Sequence, residues 1–191
     1  MAGGGDLEGP QGLILASTSP QRRAILEQLR IPFEVVATSY REVGDDPVVH
    51  AIGKARSVEG GDRAVLGVDT VVMLDERVLG KPGSPGEAAA MLRALSGRTH
   101  EVVSGLCLRA PDWEEVGREM TTVTFRPVSH ADVQAYVASG EWEGRAGAYA
   151  IQGFGASLVE RIDGDYLNVV GLPGALLVRL LAERGYPLRS G

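Results

Sequence analysis

Residues 64–74 have the sequence Ala-Val-Leu-Gly-Val-Asp-Thr-Val-Val-Met-Leu, a long apolar run rich in β-branched side chains. Such a run predicts a buried β-strand. Asp69 interrupts it, and a carboxylate is costly to bury unless it is paired, hydrogen-bonded or bound to a metal. The run therefore predicts a strand that carries one functional residue. The alternative is an edge strand on which Asp69 points to solvent.

Strand and helix patterns alternate on both sides of this run. Helix N-terminal signals occur at Ser19-Pro20, Ser84-Pro85 and Ser129, where a capping side chain precedes an amphipathic pattern. The interleaving predicts an α/β fold. Consecutive strands after residue 98 predict a mixed, twisted sheet flanked by helices. Further strands are predicted at 12–16, 33–37, 98–110, 119–128, 148–152 and 157–162, and further helices at 48–59 and from 173 to about 185.

Composition excludes several classes of protein. The chain has 191 residues, which fits one domain, and a formal net charge of −6, which argues against stable nucleic-acid or membrane-surface binding. No apolar run approaches about 18 residues, so no membrane span is predicted. Residues 1–11 have the composition of a flexible tail and lack the features of a signal peptide, so a cytoplasmic protein is expected. The single Cys107 lies in a strand pattern and is expected to be a buried thiol.

The histidines and the common catalytic motifs give no independent signal. His50, His100 and His130 are far apart, and no pair has metal-ligand spacing. Each is expected to be structural or solvent-facing. The segment Gly80-Lys81-Pro82 is not a phosphate-binding P-loop, and no Gly-x-Ser-x-Gly nucleophile motif occurs.

Residues 17–23, Ser-Thr-Ser-Pro-Gln-Arg-Arg, lie where a predicted strand leads into a predicted helix. Hydroxyls, guanidinium groups and a helix N-terminus together suit an anionic phosphate chain. The alternative is an ordinary helix cap with solvated arginines.

The basic residues are almost all arginine. Of the 19 basic residues, only Lys54 and Lys81 are lysine. An ammonium group differs from a guanidinium in size, hydration and geometry, so the two lysines are candidate functional residues. Chance drift in composition is the alternative.

Six segments, taken in order, resemble the Maf family of nucleoside triphosphate pyrophosphatases, whose fold is similar to that of inosine triphosphatases. The resemblance implies a single catalytic domain over 12–188, with two lobes around a central cleft. It also implies a role in nucleotide-pool sanitation (house-cleaning), a divalent metal (Mg²⁺, with Mn²⁺ or Co²⁺ as alternatives) and a homodimer. The six segments are residues 13–23, 67–72, 80–82, 91–100, 146–153 and 162–173.

The resemblance also implies a role for individual residues. Asp69 matches the proton acceptor for the attacking water, and Glu42 matches its acidic partner. Both are implied metal ligands. The implied phosphate-binding residues are Ser17, Ser19, Arg22, Lys54 and Lys81.

Base preference is implied by three further positions. Thr70 and Gln152 match the branch of the family that acts on dTTP and UTP, but Gln21 stands where that branch usually has arginine. The branch that acts on 7-methyl-GTP usually has tryptophan at that position, with glutamine and glutamate in place of Thr70 and Gln152. We expect pyrimidine nucleotides to be preferred with relaxed specificity. The alternatives are a pyrophosphatase for modified or purine nucleotides and a nucleotide-binding regulator of cell division.

Overall fold

The structure is a computed structural model that describes residues 12–186. The predicted tail, 1–11, lies outside the described residues, as do the last two positions of the predicted domain, 187 and 188. All statements below concern the described part of the chain.

A mixed seven-stranded sheet organises the molecule, as predicted. The strand order is β2-β1-β3-β5-β6-β7, and β4 pairs with β3. β1 is parallel to β2 and β3, while the other pairings are antiparallel. The strands are β1 (Leu13–Leu15), β2 (Phe33–Val35), β3 (Val65–Leu74), β4 (Arg77–Leu79), β5 (Thr99–Ala110), β6 (Trp113–Phe125) and β7 (Val159–Asp163).

Six α-helices pack against this sheet. The predicted caps are present: the side chains of Ser19, Ser84 and Ser129 accept hydrogen bonds from amides in the first turns of α1, α3 and α4. The helices are α1 (Pro20–Gln28), α2 (Pro47–Arg56), α3 (Pro85–Leu95), α4 (His130–Ser139), α5 (Tyr166–Val170) and α6 (Gly174–Glu183).

Two predicted strands differ from the structure. The strand predicted at 148–152 is wrong, because this segment is the end of one short 3₁₀ helix, Ala146–Ala148, followed by a turn that leads into a second, Phe154–Leu158. Gly147 and Ala148 have φ angles of 68° and 63°, which are incompatible with an extended strand. The strand predicted from residue 119 begins earlier, since β6 pairs with β5 along its whole length.

The long strands β3, β5 and β6 extend through two halves of the molecule. In the first half, α1 and α6 cover one face of the sheet through leucines such as Leu177, and α2 covers the other face through Ala51 and Ala55. In the second half, α3, α4 and the 3₁₀ segments surround Phe125 and Tyr136. Each half therefore has its own core on a shared sheet.

Two further expectations concern burial and membranes. Cys107 lies in the core under α2, as predicted. Burial raises the pKa of its thiol to about 12, so it is not a thiolate nucleophile near neutral pH. Within residues 12–186, no helix has the length and apolar character needed to cross a membrane.

Candidate active site

Helix α2 lies very close to the sheet because two glycines face it. A Cβ atom added to Gly67 would lie 2.1 Å from the carbonyl oxygen of Ala51, and one added to Gly105 would lie 2.3 Å from that of Pro47. Gly105 is also the β5 partner of Asp69. A side chain at either glycine would push α2 away, so this pair sets the distance between α2 and Asp69.

The close approach brings two side chains of α2 to the Asp69 carboxylate. His50 and Lys54 are one helical turn apart and share a face of α2. Lys54 Nζ lies 2.6 Å from Asp69 Oδ1, and His50 Nδ1 lies 3.2 Å from Asp69 Oδ2. His50, Lys54 and Asp69 are only 4%, 6% and 8% exposed. Asp69 is therefore buried and paired on an interior strand, so the edge-strand alternative is wrong.

Glu42 reaches the same ammonium group from the segment between β2 and α2. Its Oε1 lies 2.6 Å from Lys54 Nζ, while about half of its side chain, 52%, stays exposed. The Tyr40 ring holds this segment against α2 at Gly53, where an added Cβ would lie 2.1 Å from the ring. Lys54 thus joins a buried carboxylate to one that is open to solvent.

Thr70 and Arg22 form a second group on the other face of β3. Successive strand residues alternate between faces, and Thr70 points away from Asp69, as expected. Its hydroxyl lies 2.8 Å from Ser104 Oγ and 3.4 Å from Arg22 Nη2. Arg22 also donates to the Gly171 carbonyl at 2.9 Å and to Ser17 Oγ at 3.2 Å. The Gly171 carbonyl and the hydroxyls of Ser17 and Thr70 are three hydrogen-bond partners that hold the guanidinium in place.

The electrostatics connect the two groups. Burial lowers the pKa of the Arg22 guanidinium, while the Asp69 and Glu42 carboxylates act in the opposite direction. Two cations, Arg22 and Lys54, therefore lie within electrostatic range of two carboxylates. Such a balanced cluster can redistribute its contacts when an anion arrives.

The loop from β1 into α1 has the predicted strand-to-helix geometry. The Ser19 amide donates to Ser17 Oγ at 3.2 Å, and Ser19 Oγ donates to Gln21 Oε1 at 2.8 Å. The Arg22 amide donates to Ser19 Oγ at 3.5 Å. The loop therefore presents hydroxyls and the N-terminus of α1 beside the half-buried Arg22.

Lys81 and Gln152 are not part of this arrangement. Both are exposed, and neither makes a side-chain hydrogen bond or ion pair within residues 12–186. Both belong to the second half of the molecule, where the Gly147 amide donates to the Gly80 carbonyl at 3.1 Å and joins their two segments. Gln152 lies in the turn between the 3₁₀ helices, not at the end of a strand.

His50 is the site residue that sequence reasoning missed. Its spacing from the other two histidines carries no signal, and the useful one is its position four residues before Lys54 on the predicted helix. The other two histidines agree with expectation. His100 is buried and hydrogen-bonded to the Tyr149 hydroxyl at 2.9 Å, and His130 is exposed.

The cluster has the donor set of a divalent cation site. Glu42, His50 and Asp69 each offer one ligand atom, and these atoms lie within 4.8 Å of one another. Two carboxylates and an imidazole suit divalent cations of the first transition row, and carboxylates alone suit Mg²⁺. The two predicted metal ligands are therefore adjacent, and a third potential ligand lies beside them.

Comparison with known proteins gives a consistent picture. The family model for Maf-like proteins matches residues 12–184. A dTTP/UTP pyrophosphatase of Symbiobacterium thermophilum is 45% identical, over 95% of this chain and 98% of its own length. A protein of the same name from Moorella thermoacetica is 48% identical, over 91% and 95%. A third, from Deinococcus radiodurans, is 45% identical, over 91% of this chain and 93% of its own length.

Proposed function

The chain belongs to the Maf-like protein family, and on that premise we propose that it hydrolyses dTTP and UTP to the nucleoside monophosphate and pyrophosphate. The relatives named for this activity match more than nine-tenths of the chain. The observation that carries the proposal is the buried Asp69 carboxylate, held by Lys54 beside the open carboxylate of Glu42. Removal of surplus pyrimidine triphosphates would sanitise the nucleotide pool.

The first half of the molecule supplies groups for an anionic substrate. Backbone amides at the N-terminus of α1, the Ser17 and Ser19 hydroxyls and the Arg22 guanidinium suit a phosphate chain. Lys54 can transfer one of its ion pairs from a carboxylate to a phosphate oxygen. Catalysis of this kind depends on positioning and on neutralising charge in the transition state.

The water that attacks the phosphate chain needs a proton acceptor. We assign this role to Asp69, because the departure of Lys54 towards the phosphates would free its Oδ1 atom. Glu42 assists by orienting the water from the open side. When held by Asp69 and Glu42, a divalent cation (Mg²⁺, Mn²⁺ or Co²⁺) supplies further neutralisation of the phosphates. The anhydride bond between the α and β phosphates breaks, and pyrophosphate leaves.

The second half contributes contacts that exist only with substrate bound. Lys81 is exposed and would bind the phosphates, and Gln152 would bind the base. An amide offers both a donor and an acceptor, which matches the adjacent O4 and N3–H of uracil or thymine. Gln21 is held by Ser19 and carries no charge, so we expect looser discrimination between bases than an arginine would give. Thr70 would affect base preference indirectly, because its hydroxyl helps to hold the Arg22 guanidinium.

A panel of nucleotides tests this function. Canonical triphosphates and 7-methyl-GTP are incubated with enzyme and each of the three cations, and pyrophosphate and orthophosphate are both measured. We expect pyrophosphate as the product and dTTP and UTP as the best substrates. Preference for 7-methyl-GTP would favour the modified-purine alternative. Nucleotide binding without turnover under every condition would favour a regulatory protein.

We also propose a cytoplasmic homodimer. A cytoplasmic location follows from the proposed substrate, since nucleoside triphosphates are consumed in the cytoplasm. The dimer is implied by the family resemblance. Light scattering coupled to size-exclusion chromatography tests it, and a mass near that of a single 20.2 kDa chain would contradict it.

A further inference from the structure

The two ring nitrogens of His50 both face hydrogen-bond acceptors. Nε2 lies 3.3 Å from the Val43 carbonyl oxygen, and Nδ1 lies 3.2 Å from Asp69 Oδ2. A carbonyl oxygen can only accept, so Nε2 carries the hydrogen of this pair. In a neutral ring, Nδ1 then points its lone pair at a carboxylate oxygen.

Two acceptors at this separation repel each other unless a cation lies between them. The cation is either a second proton on the ring or a metal ion bound by both atoms. Metal–ligand bonds of about 2.1 Å that meet at a right angle place two donor atoms about 3 Å apart. The observed 3.2 Å between Nδ1 and Oδ2 is close to that spacing.

The contacts around the pair favour the metal. Histidines that bind metals usually donate their other N–H to a carbonyl or carboxylate, and the Val43 carbonyl occupies that position for His50. Lys54 contacts Oδ1 of Asp69, so Oδ2 is the oxygen that remains for a metal. Glu42 offers a carboxylate oxygen within 4.8 Å of a ligand atom of each of the other two residues, on the side open to solvent.

We propose that His50 Nδ1 is a third metal ligand beside Asp69 and Glu42, and that this nitrogen makes the site prefer Mn²⁺ or Co²⁺ to Mg²⁺. The inference rests on the proposed function only in placing a metal at this site. Mg²⁺ binds oxygen ligands and rarely imidazole, whereas Co²⁺ and, to a lesser degree, Mn²⁺ accept nitrogen. The alternative is an imidazolium that pairs with Asp69 and needs no metal.

Metal binding without nucleotide tests this directly. The full-length protein is treated with chelator and titrated with Mg²⁺, Mn²⁺ and Co²⁺ by calorimetry, and Co²⁺ binding is also followed by its visible absorption. We expect Mn²⁺ and Co²⁺ to bind at least about tenfold more tightly than Mg²⁺. In His50→Asn, we expect affinity for Co²⁺ to fall by roughly 10- to 100-fold with a changed absorption spectrum, while affinity for Mg²⁺ changes little.

His130→Asn is the matched control, because His130 is exposed and belongs to another helix.

A second measurement needs no variant. The chain has three histidines, so their imidazole ¹⁵N signals can be assigned individually. Addition of Zn²⁺, a diamagnetic probe of the same class, should shift Nδ1 of His50 and leave its Nε2 protonated.

The inference fails if Zn²⁺ leaves the His50 signals unchanged, or if His50→Asn binds Co²⁺ as tightly as the wild-type protein does. Both results are independent of turnover. If the wild-type protein still releases pyrophosphate from dTTP, the proposed function stands and His50 is a partner of Asp69 only. If it releases no pyrophosphate with any cation, the proposed function fails whatever His50 does.

Discussion

The two halves of the sheet hold their candidate functional groups in different ways. In the half covered by α2, Lys54 lies between two carboxylates, and the Arg22 guanidinium is fixed by three hydrogen-bond partners. In the other half, Lys81 and Gln152 are exposed and make no side-chain hydrogen bond within residues 12–186. The first half is therefore organised before substrate binds, whereas on the proposed function we expect Lys81 and Gln152 to make their contacts only with bound substrate.

This difference predicts different kinetic effects. A preorganised group aimed at charge that develops in the transition state contributes to the chemical step, so its loss lowers kcat. A group that makes contacts only with bound substrate contributes to affinity and selectivity, so its loss changes KM or the ratio between substrates. The following four predictions test the comparison, in order of decreasing effect.

Asp69→Asn should cause the largest change. The amide keeps the shape of the side chain but cannot act as the proton acceptor, so kcat for dTTP should fall by about 10²-fold or more. Steady-state kinetics measures kcat, and a thermal melt shows whether the variant is as well folded as the wild-type protein. Asp163→Asn, at an exposed position of β7, is the control. Normal turnover in a folded Asp69→Asn protein would remove Asp69 from the chemistry.

The second prediction concerns stability and pH in the second half. Burial among Phe125 and Tyr149 lowers the pKa of His100 from 6.5 to about 4. The folded state therefore binds this proton more weakly than the unfolded state does. Neutral His100 makes its full contribution to the free energy of unfolding above about pH 6.5. This contribution is lost as the pH falls towards 4, which lowers the free energy of unfolding by about 3 kcal/mol.

Urea unfolding at several pH values between 4 and 7 measures this loss. His100→Gln retains a donor for the Tyr149 hydroxyl but cannot titrate. We expect the free energy of unfolding of this variant to fall less steeply over the same range. Equal slopes for variant and wild type would show that His100 does not become protonated on unfolding.

The third prediction separates the two lysines. Lys54→Ala leaves two carboxylates without their shared cation, so kcat and stability should both fall. Lys81→Ala should raise KM for the triphosphate, by the equivalent of about 1–3 kcal/mol, with little change in stability. Arg179→Ala, at an exposed position of α6, is the charge-matched control. Identical kinetics for both lysine variants would contradict the comparison.

The smallest effect is expected at Gln152. In Gln152→Glu, the ratio of kcat/KM for UTP to that for 7-methyl-GTP should fall by about tenfold, equivalent to about 1.4 kcal/mol. The glutamate offers only acceptors and suits a base edge rich in donors. Gln134→Glu, exposed on α4, adds the same charge elsewhere. An unchanged ratio would exclude Gln152 from base recognition.

The amino-acid sequence by itself determined the local features. The apolar run at 64–74 predicts β3, and the two-residue period of a strand places Asp69 and Thr70 on opposite faces. Cap residues such as Ser19 and Ser129 mark where helices begin. These features depend on interactions between residues that are close in sequence, so a pattern of a few residues is enough to predict them.

Only the tertiary structure decided which of these residues meet. His50 reaches Asp69 across 19 positions, and Arg22 reaches the Gly171 carbonyl across 149. The first contact depends on Gly67 and Gly105, which lie on different strands and together let α2 approach the sheet. The sequence around either glycine does not indicate that α2 packs against it. Close packing of distant elements depends on the space that both of them leave free, and a pattern within one segment does not encode that space.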